Sequence, residues 1–190
     1  MIHLADNFDD IVRTLQDGGC ILYPTDTVWG IGCSSLNESA IKKIYTIKQR
    51  DLSKPFILLV SDIKMLKSYI KRIHPRIETL LEYYDRPITI IYKGVQNLPE
   101  LAYSRQGTVA IRITKDAFCR EIIDRLTAPL VSTSANLSGE KVPAHFDEIN
   151  PAILKEMDYI VRYRQNEKTG GETSIMVRYD EEGELYFIRS

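Results

Sequence analysis

Two apolar runs in this chain break off in the same way. "CILYP" gives way to "TDTVWGIG", and "PLV" gives way to "STSAN". Pro24 has no N–H to offer a neighbouring strand, so the first ladder ends near it. Both breaks gather small hydroxyl and amide side chains that a core strand does not need. A chain built this way must bring strand ends to a polar surface, where open α/β sheets bind their ligands.

Helix and strand patterns alternate around these breaks. Phe8, Ile11, Val12 and Leu15 have helical spacing, between a cap at Asn7 or Asp6 and a stop at Gly18 and Gly19. In "NESAIKKIYTIKQR", Asn37 is the cap and Ile41, Ile44, Tyr45 and Lys48 share one side, with Lys48 at the C-terminal end. "PFILLV" is a strand. A helix follows from Asp62, with Met65, Leu66, Tyr69 and Ile70 inward, and Pro75 opens another.

"PITIIYKG" and "TVAIRIT" are β-branched and read as neighbouring strands. "DAFCREIIDRLTA" is an amphipathic helix capped by Asp116. A short helix near Ile153, a strand "YIVRY" and a hairpin of "TSIMVRY" with "ELYFIR" close the chain. Alternation early and clustered strands late predict an α/β fold: a single domain over 1–190 with a mixed β-sheet flanked by helices.

Composition narrows the function classes. The 190 residues are 44% hydrophobic and 27% charged, enough for a core without metals or disulfides. Cys20, Cys33 and Cys119 are odd in number and lack CxxC spacing, which argues against a disulfide framework and a zinc site. With no signal-peptide pattern and no membrane-length apolar window, a cytoplasmic protein without membrane contact is expected. A net charge of −1 excludes a surface coated to hold duplex nucleic acid, although "IKKIYTIKQR" and "IKMLKSYIKRIHPR" are locally basic. The second run reads first as a solvated helix face.

Four segments concentrate chemistry. "PTDTVWGIG" has Thr25, Asp26 and Thr27, with Gly30 and Gly32 allowing close backbone approach; its plain alternative is a turn. "KQRDLSKP" places Lys48, Arg50 and Lys54 on what reads as one short loop, more cations than a helix end requires. "STSAN" offers Ser132, Thr133, Ser134 and Asn136, which could equally satisfy one another in a local turn. "GGETSI" adds Gly170, Gly171, Thr173 and Ser174, or is a loop entering the hairpin. No phosphate-loop or dinucleotide glycine motif is present. His3, His74 and His145 lack metal-ligand spacing and read as surface or structural residues, and Cys33 has no identifiable base. The residues alone describe a hydroxyl-lined, cation-flanked pocket for a small anion such as a nucleotide.

"YPTDTVWGIG", "KQRDLSKP" and "VSTSANLSGE", in that order, resemble the YrdC-like family of threonylcarbamoyl-adenylate synthases, in its short single-domain form. The resemblance implies a twisted mixed sheet with a large concave cavity. It implies a nucleotidyltransferase that joins L-threonine, bicarbonate and ATP into threonylcarbamoyl-AMP with release of pyrophosphate, with Mg2+ sharing the electrostatic work. Partner proteins would then transfer the threonylcarbamoyl group to tRNA.

By the same resemblance Lys48 and Arg50 are catalytic, and Lys48 and Lys54 meet the nucleotide. Thr25 contacts threonine, Arg112 reaches its carboxylate, and Thr173 and Ser174 share a substrate contact. Ser132, Ser134, Asn136 and Arg189 hold the nucleotide. Trp29 stands where a tyrosine is usual and is expected as an aromatic wall of the pocket. The alternative is an RNA-binding or ribosome-associated factor of the same fold, or a weak RNA contact beside the enzyme. A carbamoyltransferase-type use of the pocket is a third reading, although the extra domains of those proteins are missing.

Overall fold

The computed structural model describes residues 6–168, 171 and 173–189. His3 and Gly170 lie outside them. Nine strands form one mixed sheet, ordered β7-β1-β2-β6-β3-β5-β4-β8-β9. In chain order they are β1 (Ile21–Tyr23), β2 (Gly30–Ser34), β3 (Ile57–Val60), β4 (Ile88–Tyr92), β5 (Val109–Ile113), β6 (Leu130–Ser134), β7 (Tyr159–Ile160), β8 (Ile175–Tyr179) and β9 (Leu185–Arg189). The helices are α1 (Phe8–Gln16), α2 (Glu38–Lys48), α3 (Ile63–Tyr69), α4 (Pro75–Tyr83), α5 (Ala117–Leu126) and α6 (Pro151–Lys155).

The helices start where short polar side chains can accept an otherwise unpaired N–H. Asn7, Asn37, Asp62 and Asp116 accept from Asp9, Ala40, Met65 and Cys119 respectively. "PITIIYKG" and "TVAIRIT" do pair, antiparallel, as β4 and β5, and β8 with β9 forms the expected hairpin. The strand at 30–34 is the element the sequence concealed. Its glycines read as a loop, yet Gly30 and Gly32 pair with Tyr23 and Ile21 on one side and with Ser134 and Ser132 on the other. A side chain at Gly32 would meet Val131 O at 2.7 Å and the Tyr23 ring at 2.8 Å, so the strand needs glycine there to close.

Strand alternation sorts the core onto two faces. Leu22, Leu58, Val60, Val131 and Ile90 join the cluster under α2, α3, α4 and α6. Ile21, Tyr23, Leu59 and Leu130 face α1 and α5. These two helices cover only part of their face. By the same alternation Arg112, Ser132, Ser134 and Thr89 point to that second face, where polar groups take over from apolar ones.

Candidate functional site

At the end of β6 the chain turns sharply, with Ala135 N donating to Trp29 O and Asn136 N to Ser134 O. Ser134 Oγ donates to Asn136 Oδ1 at 2.5 Å, and Asn136 Nδ2 donates to Glu140 O at 2.7 Å. Lys48 sits beneath this turn, 2% exposed. Its Nζ donates to Ser134 O at 2.5 Å and Asn136 O at 2.6 Å, and lies 3.4 Å from Asn136 Oδ1. These contacts engage the donors of the ammonium with the turn itself. Burial, followed by the neighbouring charge of Arg50, pushes the Lys48 ammonium down to about 8.

Lys48, Arg50 and Lys54 are held in three different ways. Gln49 adopts a left-handed backbone, φ 50°, which ends α2 directly after Lys48. Arg50 donates from Nε to Lys54 O at 2.9 Å and from Nη2 to Pro55 O at 3.3 Å, with its guanidinium 5.2 Å from the centre of the Phe56 ring. Lys54 offers its carbonyl to this arrangement while its side chain is exposed. The grouping read from spacing is thus replaced by one buried, one stacked and one solvated cation.

The second wall is built across the sheet. Arg112, from β5, donates from Nη1 to Thr27 Oγ at 3.1 Å, and its Nη2 lies 3.1 Å from Asp26 Oδ1. Thr25 and Thr27 share a hydroxyl contact of 2.9 Å. On the adjoining strands Ser174 Oγ meets Thr89 Oγ at 2.7 Å, and Arg189 donates from Nη2 to Ser174 O at 2.9 Å. Burial, followed by the charge of Arg112, holds Arg189 below the ordinary guanidinium value. Thr173 lines a cavity of about 210 Å³ with Asp26, Arg86, Pro87 and Ile175. Gly171 lies so close to Thr27 that an added Cβ would stand 1.8 Å from Thr27 O, so only glycine passes there.

Asp26, Thr27 and Thr89 therefore belong with the residues read from sequence. Thr89 had a signal: it is the one aliphatic hydroxyl within "ITIIY", and the structure buries it completely. Trp29 does not wall the pocket. It is 6% exposed in the core, with its ring 5.0 Å from that of Phe146, because β2 pairing turns it toward the helix-covered face. The three cysteines are buried and free, and burial pushes Cys20 up to about 12 and Cys33 and Cys119 well above the ordinary thiol value. His74 caps α4 and His145 pairs with Glu148, both structural duties.

A groove of about 1060 Å³ lies elsewhere, at the β4–β8–β9 end, with Lys71, Arg72, His74, Lys93, Arg178 and Tyr186 among its walls. None of the sequence-assigned site residues lines it. Three of its basic residues come from the run read as a solvated helix face, and they follow the end of α3 rather than lying on it.

Residues 13–190 match the Sua5/YciO/YrdC family, described as "telomere recombination". The chain belongs to this family. It is similar to the threonylcarbamoyl-AMP synthase of Coxiella burnetii, 33% identical over 137 residues, covering 72% of this chain and 74% of the relative. The synthase of Stenotrophomonas maltophilia is 32% identical over 172 residues, covering 86% and 87%. Among solved structures, P. abyssi Sua5 complexed with L-threonine superposes with a TM-score of 0.82 at 23% identity, over 96% of this chain and 53% of that one. At that identity the last likeness concerns the fold.

Proposed function

We propose that this family member is a threonylcarbamoyl-AMP synthase, a nucleotidyltransferase that uses L-threonine, bicarbonate and ATP. The observation that carries the reading is the placing of polar side chains on one sheet face, to which Thr89, Arg112, Ser132 and Ser134 all point. At one place on it stands the turn of Ser134 and Asn136 over Lys48, and at another Arg112, with Ser174 and Arg189 on the strands beyond. The first suits a nucleotide and its phosphates, met by the second Nδ2 proton of Asn136 above a buried positive charge. The second suits an amino-acid carboxylate. In the displacement at the α-phosphate, negative charge accumulates on the phosphate and the departing pyrophosphate. Cations already fixed by Ser134 O, Asn136 O and Lys54 O need no reorganisation to meet it.

Among the described residues no three His, Cys, Asp or Glu side chains converge to hold a metal. Magnesium is proposed to accompany ATP and to share the electrostatic work at its phosphates. Threonylcarbamoyl-transfer proteins acting on tRNA are the proposed consumers of the product. The cytoplasm is the proposed compartment, on the strength of three free buried thiols. No described helix is long and apolar enough to cross a membrane.

The decisive assay is pyrophosphate release from ATP that requires both threonine and bicarbonate. Its absence in folded protein supplied with magnesium would reject the reading. The basic groove favours a second, lesser function, weak RNA contact. RNA binding that weakens with salt and with Lys71→Ala and Arg178→Ala, while pyrophosphate release is retained, is its expected signature; binding indifferent to both variants rejects it.

A further inference from the structure

We infer that Thr25, Asp26 and Thr27 are positioning residues that aim Arg112, and that Thr25 acts through this relay rather than on the amino acid directly. The inference rests on the synthase reading, in which Arg112 meets the threonine carboxylate.

The direction of each hydrogen bond follows from counting protons. A threonine hydroxyl carries one proton and two lone pairs. Thr25 Oγ gives its proton to Val28 O at 2.8 Å. Toward Thr27 Oγ, 2.9 Å away, Thr25 can therefore only accept, so the proton in that contact belongs to Thr27. The Thr27 N–H also donates to Thr25 Oγ at 3.0 Å, which fills the oxygen. Thr25 has nothing left to offer a substrate.

Thr27, having given its proton to Thr25, must present lone pairs to the 3.1 Å contact with Arg112 Nη1. The relay is thus a one-way chain from the guanidinium to Val28 O, and its orientation calls for a donor where Arg112 stands. Asp26 adds a second anchor at a different nitrogen, Nη2, with the pair almost fully buried at 4% and 13% side-chain exposure. Two anchors on two nitrogens set both the tilt and the rotation of the planar group. Arg112 Nε remains buried without a hydrogen-bond partner among the described residues, a donor not committed to the relay.

The Asp26 carboxylate beside Arg112 offsets the cost of burying the guanidinium charge. Among the described residues neither Asp26 oxygen receives a well-directed hydrogen bond, so the attachment they provide is the ion pair itself.

The test compares Thr27→Val, which keeps the shape and removes the hydroxyl, with Thr27→Ser, which keeps the hydroxyl. Steady-state pyrophosphate release gives KM for threonine and ATP separately, with thermal unfolding in parallel. Thr27→Val is expected to raise KM for threonine by about tenfold or more, the loss of one hydrogen bond to a charged group, with KM for ATP within about twofold. Thr27→Ser is expected within about threefold of the parent, and Thr25→Val in the same direction as Thr27→Val but weaker. Thr25→Val also serves as the readout if Thr27→Val does not fold.

Unchanged threonine KM, an equal rise in both KM values, or no rescue by serine would overturn the relay. A parent protein that neither binds threonine nor releases pyrophosphate overturns the synthase reading and this inference with it. A working parent with indifferent variants overturns this inference alone.

Discussion

The turn after β6 and the ribbon of β8 and β9 both carry residues of the site, yet they are held in opposite ways. The turn lies at the middle of the sheet, its carbonyls tied to a buried ammonium and its side chains to each other. The ribbon is the edge of the sheet, and Tyr186, Phe187 and Ile188 are 46%, 68% and 52% exposed. Position in the sheet therefore separates a corner that is built in advance from a flank supported on one side only. A phosphate-bearing substrate gains most from fixed charge, so the rigid corner belongs to it. Substitutions should consequently cost more at the turn than along the ribbon.

The largest expected effect is at Lys48. Lys48→Met takes the ammonium donor from Asn136 O and leaves Ser134 O with Asn136 N alone, at about 1–3 kcal/mol for a group left unsatisfied. Urea unfolding should register that loss together with a fall of about a hundredfold or more in pyrophosphate release. Parental stability and activity would show that the corner is not locked by this residue.

Gly171→Ala comes next. The new methyl group would overlap Thr27 O, and the segment carrying Thr173 and Ser174 must move away. Because the edge ribbon can yield, activity should drop about tenfold while stability changes by only about 1 kcal/mol. A large stability loss with intact turnover would reverse the assigned flexibility of the two regions.

A pH series separates the corner from the ribbon without altering its shape. The Lys48 ammonium is near 8 in the folded chain against an ordinary 10.5, so between those values the unfolded chain binds more protons. Stability relative to Lys48→Met should therefore rise with pH across that window, the burial penalty on the charge being relieved. Turnover should move the other way, falling as pH rises through about 8, because a neutral amine no longer supports the phosphates. Parallel pH profiles for stability in the parent and in Lys48→Met would remove Lys48 as the titrating group.

The smallest effect is expected at Phe187→Ser on the outermost strand. With 68% of the residue already in solvent, the change should stay within about 0.5 kcal/mol and leave pyrophosphate release unaltered. A marked loss would show that the edge is covered in solution.

Much of this was legible because it is local. Asn7, Asn37 and Asp116 announced the starts of α1, α2 and α5, and the alternation in "PITIIYKG" and "TVAIRIT" announced a strand pair. Ser134, Asn136, Arg112, Ser174 and Arg189 were named from the resemblance, and the structure supplies the partners that hold them. The less legible part is long-range. β2 was hidden because its glycines look like a loop until Tyr23 and Val131 press against them from neighbouring strands.

Sequence alone determined the helices and the strands other than β2, and which strand ends carry hydroxyls and cations, since caps and side-chain periodicity act over a few residues. Tertiary structure decided where those groups point. It turned Lys48 under β6, stacked Arg50 on Phe56, buried Trp29 against Phe146, and set Thr27 beside Arg112, 85 residues away in the chain. The physical reason is that a polar side chain leaving water must find a partner, and the sheet order alone determines which partners come within reach.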